Sequence, residues 1–232
     1  MLEIAAAGAG LLIGTGLWGV YAPNSPVFGP VIGRGPREPV AFLTFDDGPN
    51  PGVTDRILET LHREDTPATF FMVGKHVVRH PTTAAAVAQA GQEIGNHTYS
   101  HVKLHSVGPH RVADEILFAH QAITGVTGQV PRSFRAPHGY RGPFVARAVA
   151  PYSYRSFGWT LGVWDSARPG VELIRARVRR GLRPGAIVLL HDGDGYDPSG
   201  DRWQTAAALP GIIRDIRDAG YRLDSLSALA AA

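Results

Sequence analysis

From Val40 to the C-terminus, short apolar runs alternate with amphipathic stretches about seven times. Val40–Phe45 and Ala186–Leu190 are near-continuous apolar runs, the pattern of strands buried on both faces. Further strands are predicted at Ala68–Val73, Glu93–Gly95, Ser133–Arg135, Tyr154–Trp159 and Tyr221–Leu223. Between them the spacing predicts helices over Thr54–Leu61 with Thr54 as N-cap, Thr82–Ala90, Pro109–Thr124 stopped by Gly125, Gly142–Ala150, Val171–Leu182 and Gln204–Ala219. Strand and helix alternating at this spacing call for parallel strands joined by helical crossovers. Polar residues able to do chemistry fall just after strands: Asp46, Asp47, His97, Arg135 and His191. A ring of parallel strands would put all of these on one face, where barrel enzymes build their sites. An open doubly wound sheet is the competing architecture. No dinucleotide fingerprint or phosphate-binding loop follows any strand.

The chain has 232 residues, 44% of them hydrophobic and 19% charged, which suits one large globular domain or two small ones. With no cysteine, disulfides, thiolate ligands and a cysteine nucleophile are excluded. Net charge is +3, and the one basic cluster, Arg175 to Arg180, reads as a solvated helix face, so no nucleic-acid partner is expected. No charged residue occurs between Ile4 and Gly33. As a helix, residues 4–20 would span about 25 Å, the short end of a bilayer crossing. We therefore expect a membrane anchor or signal over 1–20, a buried terminal helix being the alternative. A Pro/Gly-rich linker over 21–38 and a catalytic domain over 39–232 would follow. The expected location is the membrane face or the extracytoplasmic envelope. Oligomeric state is not legible.

Two adjacent carboxylates, Asp46 and Asp47, close the first strand, and His97 and His101 stand four residues apart. One Asp with two His is a three-ligand set for a catalytic divalent metal, with a position open for water. The other Asp is then a carboxylate placed to act as general base. Taken singly, an Asp pair is more often a turn or helix cap, and a His pair at this spacing more often surface or core. Their position at successive strand ends favours a site.

Five motifs occur in order: Thr44-Phe45-Asp46-Asp47-Gly48-Pro49, Asn96-His97-Thr98-Tyr99-Ser100-His101, Arg135-Ala136-Pro137-His138-Gly139, Trp164-Asp165 and Leu189-Leu190-His191-Asp192. In this order and spacing the chain resembles, from Val40 onward, the polysaccharide deacetylases of carbohydrate esterase family four, which share the NodB-homology domain. The resemblance implies a distorted (β/α) barrel of seven or eight mostly parallel strands. It implies a divalent metal, most often Zn2+, with Co2+ or Mn2+ as alternatives. It implies hydrolysis of N-acetyl groups on the amino sugars of an acetylated polysaccharide or oligosaccharide, such as peptidoglycan, a chitin-like oligomer or an exopolysaccharide. Asp47, His97 and His101 would hold the metal, Asp46 would be the base and His191 the acid. Arg135 would bind the base carboxylate, and Asp165 would pair with His191 and raise its pKa. Pro137, His138 and Gly139 would form the turn whose backbone N–H holds the oxyanion. Leu190 would line the pocket for the acetyl methyl, and Tyr140 and Trp164 a sugar-stacking wall.

The chain departs from the family pattern at His138, where tyrosine is usual, and at Gly162 and Ser166 in the fourth motif. Asp165 and the acceptor side are the assignments these departures touch. An O-acetyl esterase on acetylated xylan and a catalytically inactive carbohydrate-binding protein are the alternative readings. His62, His76, His80, His110 and His120 fit no motif and are expected at the surface, with His105 packing near the cleft.

Overall fold

The computed structural model describes residues 14–230. Residues 14–21 form a helix, α1. Strand β1 (Val40–Asp46) is buried along its whole length, because it has neighbours on both edges and helices on its face. Helix α2 (Val53–Arg63) buries Val53, Ile57 and Leu61, one stripe at four-residue spacing. Its N-cap is Gly52, whose N–H donates to Asp55 at 2.8 Å. Thr54 thus sits inside the first turn and not at the cap. Its hydroxyl accepts the Asn50 N–H at 2.9 Å and donates to Asp192 at 2.6 Å.

Then come β2 (Thr69–Met72), α3 (Gly74–Arg79), α4 (Pro81–Gln89), β3 (Glu93–Asn96), α5 (Pro109–Thr127), β4 (Ser133–Phe134), α6 (Val145–Val149) and β5 (Arg155–Ser156). The chain closes with β6 (Leu161–Gly162), α7 (Val171–Gly181), β7 (Ala186–His191), α8 (Trp203–Asp218) and β8 (Arg222–Asp224). Sequence spacing missed α3 and β6. Helix α5 runs through Gly125 to Gly128, which takes the left-handed cap conformation at φ 72°. Gly74 opens α3 where a Cβ would come within 2.8 Å of the Ala119 Cα on α5.

Among the described residues eight strands form one parallel sheet, ordered β5-β4-β3-β2-β1-β7-β6, with β8 beside the first half of β1. The sheet curls into an open barrel, and its edge strands β5 and β6 do not pair with each other. The main core lies between the sheet and α2, α7 and α8, around residues such as Leu43, Ile57, Val188 and Ile212. In the β1–β7 register Asp46 stands opposite His191, which brings the first and last motifs side by side.

Residues 21–38, read from the sequence as a linker, run along the open seam, where Ile32 makes a parallel bridge to Phe157. Residues 1–13, most of the expected anchor, lie outside the described residues. Among the described residues no helix is long and apolar enough to cross a membrane. The C-terminal turn of α1 packs on the barrel: Arg141 N–H donates to the Val20 carbonyl at 3.2 Å, and the Tyr21 ring meets Tyr140 and His105 edge-on.

Candidate active site

The turn after β1 presents Asp47 at φ 77°, and the loop after β3 presents Thr98 at φ 67° and His101 at φ 58°. Such left-handed backbone costs non-glycine residues about 1–3 kcal/mol each and persists where surroundings hold it. Here Asn96 Oδ1 accepts the Thr98 N–H at 2.8 Å, and Thr98 Oγ1 accepts the His101 N–H at 3.2 Å. The buried Glu115 of α5 accepts the N–H groups of Tyr99 and Ser100 at 3.0 and 2.7 Å and the Ser100 hydroxyl at 2.6 Å.

The result is a buried cluster of Asp47, His97 and His101, whose ligand atoms lie within 4.8 Å of one another. Asp47 Oδ1 is 3.3 Å from His97 Nε2 and 3.0 Å from His101 Nε2. It is buried and accepts no hydrogen bond. His97 Nδ1 donates to the Arg135 carbonyl at 2.8 Å, which fixes the ring with Nε2 aimed at Asp47. Burial alone would raise the Asp47 pKa, but His101 and His97 hold it well below the usual carboxylate range. An ionised carboxylate, two imidazoles able to give up a proton and ligate, and a buried acceptor without a hydrogen-bond partner fit a divalent cation.

Glu115 was not legible as part of this cluster, although a glutamate on the apolar stripe of α5 is a signal. Glu115→Ala is expected to weaken divalent-cation binding about 10–100-fold, as losing the partner of a ligand loop does. Calorimetric titration with zinc checks this. His76 was also missed. Far from lying at the surface, it is buried, because α3 begins directly after β2 and tucks it beneath Asp47, whose carbonyl accepts from His76 Nδ1 at 2.9 Å. His80 and His120 are half-buried rather than exposed, and His120 meets the Tyr154 hydroxyl at 2.9 Å. His62 and His110 are exposed.

Asp46 faces the same cluster from β1. Its Oδ1 accepts from Arg135 at 2.7 Å, and its Oδ2 lies 3.7 Å from His97 Nε2. Arg135 is fully buried, and also donates to Thr44 Oγ1 at 2.7 Å and to the Gly158 carbonyl at 2.9 Å. Its guanidinium lies 4.2 Å from the Phe71 ring centre. On the β7 side, His191 Nδ1 donates to Asp165 Oδ1 at 2.9 Å. Asp165 Oδ2 accepts the His191 N–H and the Thr205 hydroxyl, both at 2.8 Å. Burial disfavours the imidazolium, yet Asp165 with Asp47 and Asp46 pushes the His191 pKa up to about 9.

Asp46, Asp47, His97, His101 and His191 line a cavity of about 170 Å³ with His138, Gly139, Trp159, Ser166, Leu189, Asp194, Gly195, Tyr196 and Arg202. Leu190, expected in this pocket, is fully buried in the core instead. Side chains alternate along a strand, so it is Leu189 that shares the cavity side with His191. Pro137 is buried beneath the turn. Tyr140 and Trp164 line an adjoining groove with Gly162, and Trp164 is 73% exposed. His138 sits at φ 58°, and its Nε2 meets the Tyr196 hydroxyl at 2.9 Å. Sequence reasoning also missed the loop after β7. Gly195 there lies so close to the His101 ring that any Cβ would strike Nδ1.

Residues 33–157 match the family model of the polysaccharide deacetylases. The chain is similar to a chitooligosaccharide deacetylase of Bradyrhizobium sp. (strain ANU 289), at 38% identity over 81% of this chain and 89% of the relative. It is similar to a peptidoglycan-N-acetylglucosamine deacetylase of Bacillus cereus, at 36% identity over 83% of this chain and 89% of the relative. Among solved structures it resembles a family-four carbohydrate esterase pseudoenzyme from Bacillus anthracis, with a TM-score of 0.78, 29% identity, and coverage of 85% of this chain and 68% of that one.

Proposed function

The chain belongs to the polysaccharide deacetylase family, and on that premise we propose that it hydrolyses N-acetyl groups from a polymer or oligomer of N-acetylglucosamine. The observation that carries this reading is the convergence of three units on one cavity: the Asp47–His97–His101 cluster, the Asp46–Arg135 pair and the His191–Asp165 pair. The likeness to a pseudoenzyme concerns the fold, and the ligand set present here argues for activity.

Asp47, His97 and His101 would hold the cation, with zinc the first choice for one carboxylate and two imidazoles. A cation there supplies Lewis acidity, lowering the pKa of a water and polarising the acetyl carbonyl. Arg135 occupies Oδ1 of Asp46, so Oδ2 is the atom that takes the proton of the attacking water. The developing oxyanion is met by the backbone N–H of His138, since the amides of Gly139 and Tyr140 are engaged within their own turn. His191 Nδ1–H is committed to Asp165, so Nε2 carries the proton to the departing amine. An amine leaves poorly unless protonated, and a raised imidazole pKa keeps that proton available. Leu189 would take the acetyl methyl, and Trp164 and Tyr140 a sugar face. Peptidoglycan, the substrate named for the Bacillus cereus relative, lies outside the cytoplasm, and action there is the location we propose.

The pH dependence follows with a definite sign. His191 must be protonated, so activity falls as pH rises through its folded pKa, which Asp165 raises. Asp165→Asn removes that support. The alkaline limb of kcat is expected to move about one pH unit or more toward neutrality, read from a pH–rate profile. The substrate class is tested by acetate release from chitooligosaccharides, peptidoglycan and acetylated xylan in parallel. Release from an N-acetylated substrate supports the reading, and release from xylan alone would replace it with the esterase.

A further inference from the structure

The segment before the barrel packs into the catalytic wall. The open seam between β5 and β6 is crossed by Gly158, Trp159 and Thr160. From the barrel side, the Thr160 N–H donates to the Ile187 carbonyl at 3.0 Å. Arg183 donates to the Thr160 carbonyl at 2.7 Å and Arg135 to the Gly158 carbonyl at 2.9 Å, and the preceding segment adds three more bonds. Gly158 N–H donates to the Ile32 carbonyl at 3.0 Å, and the Thr160 hydroxyl donates to the Gly33 carbonyl at 2.8 Å. Asn24 Nδ2 donates to the Trp159 carbonyl at 2.8 Å.

Asn24 is exposed, but its amide end is closely packed against the seam. A Cβ on Gly158 would overlap its Oδ1 and come within 2.8 Å of the Pro23 carbonyl. The three atoms nearest to a Cβ on Gly33 would all belong to Asn24. Two glycines therefore leave a slot that this amide fills. Just beyond, a Cβ on Gly139 would lie 2.6 Å from Trp159 and 2.7 Å from Pro23, so the turn bearing His138 is packed against the same segment. The Gly158 carbonyl, in turn, is one of the three acceptors of the buried Arg135, and Trp159 lines the cavity.

We propose that Asn24 is a positioning residue for the catalytic centre: seated between Gly33 and Gly158, it fixes the Gly158–Trp159 crossing and, through it, the guanidinium that aims Asp46. The inference rests on the deacetylase reading for its kinetic consequence, and on packing alone for its structural one. Misplacing a catalytic group by about 1 Å can lower turnover about 10²-fold, so a smaller shift suffices for about tenfold.

The test uses the full chain with two variants that act from opposite sides. Asn24→Ala empties the slot, and Gly33→Ala crowds Asn24 out of it, since the three atoms nearest the added Cβ all belong to Asn24. Both are expected to lower kcat about tenfold with a smaller change in KM. Zinc affinity should stay as in wild type, because the ligands stand in the turns after β1 and β3, which the preceding segment does not hold. Hydrogen exchange at the Gly158 amide should quicken in both. Wild-type turnover with unchanged exchange in both variants overturns the proposal, as does an equal loss of zinc affinity, which would mark general loosening. If the wild-type chain itself releases no acetate, the deacetylase reading fails separately. Exchange at Gly158 then decides the positioning: faster in both variants upholds it, and unchanged removes it.

Discussion

Asp46→Asn is expected to keep its metal and lose about 10²–10⁴-fold in kcat, the usual contribution of a positioned general base. The substitution preserves volume and leaves an oxygen to accept from Arg135, which retains Thr44 Oγ1 and the Gly158 carbonyl as acceptors. The fold should therefore survive. Asp46→Ala is the harsher change: it strands a fully buried guanidinium, and unpairing such a charge typically costs about 3–5 kcal/mol. The Asn variant is the informative one because it separates base from scaffold. Zinc content per chain and kcat, measured on the same preparation, check it. Turnover at the wild-type rate would remove Asp46 from the proton-transfer role.

Removing a ligand should have the larger effect. Asp47→Asn keeps the shape and tolerates the left-handed φ of 77° that asparagine adopts more readily than most residues. It removes the only carboxylate in the cluster. Zinc affinity is expected to fall by more than the roughly 100-fold seen when outer partners are lost, and acetate release at stoichiometric zinc should vanish. His101→Ala should behave alike, with His97, Asp46 and Arg135 left in place. Zinc titration followed by calorimetry measures both. A variant that bound zinc as tightly as wild type would show that the cluster is an ion-pair network with another purpose.

Much of this site was legible because its residues follow strands. β1 ends on Asp46 and Asp47, β3 leads into His97, and β7 ends on His191, and parallel strands bring such ends to one face. What the linear chain hides is which strands are neighbours. Strands β1 and β7 are far apart in sequence yet adjacent in space, and only their register sets Asp46 opposite His191. Period-two alternation counted back from His191 points to Leu189 for the cavity, and it sends Leu190, the residue expected there, into the core. His76 gave no signal, because its burial comes from a short helix that starts where a strand end was expected. Glu115 did give one, a carboxylate in a stripe with Val112, Ile116 and Ala119. The seam residues were illegible for a different reason. Asn24, Pro23 and Ile32 read as an extended Pro/Gly-rich linker, and their partners Gly158 and Trp159 lie more than a hundred residues away.

The central claim is that Asp47, His97 and His101 hold a cation without which Asp46 and His191 have no reaction to serve. The most direct measurement is acetate release from chitooligosaccharides by the chelator-treated full chain while zinc is titrated back. The account predicts no release without metal, and recovery that saturates at one zinc per chain and is absent in Asp47→Asn. Undiminished release from metal-free protein, or recovery in Asp47→Asn equal to wild type, would contradict it.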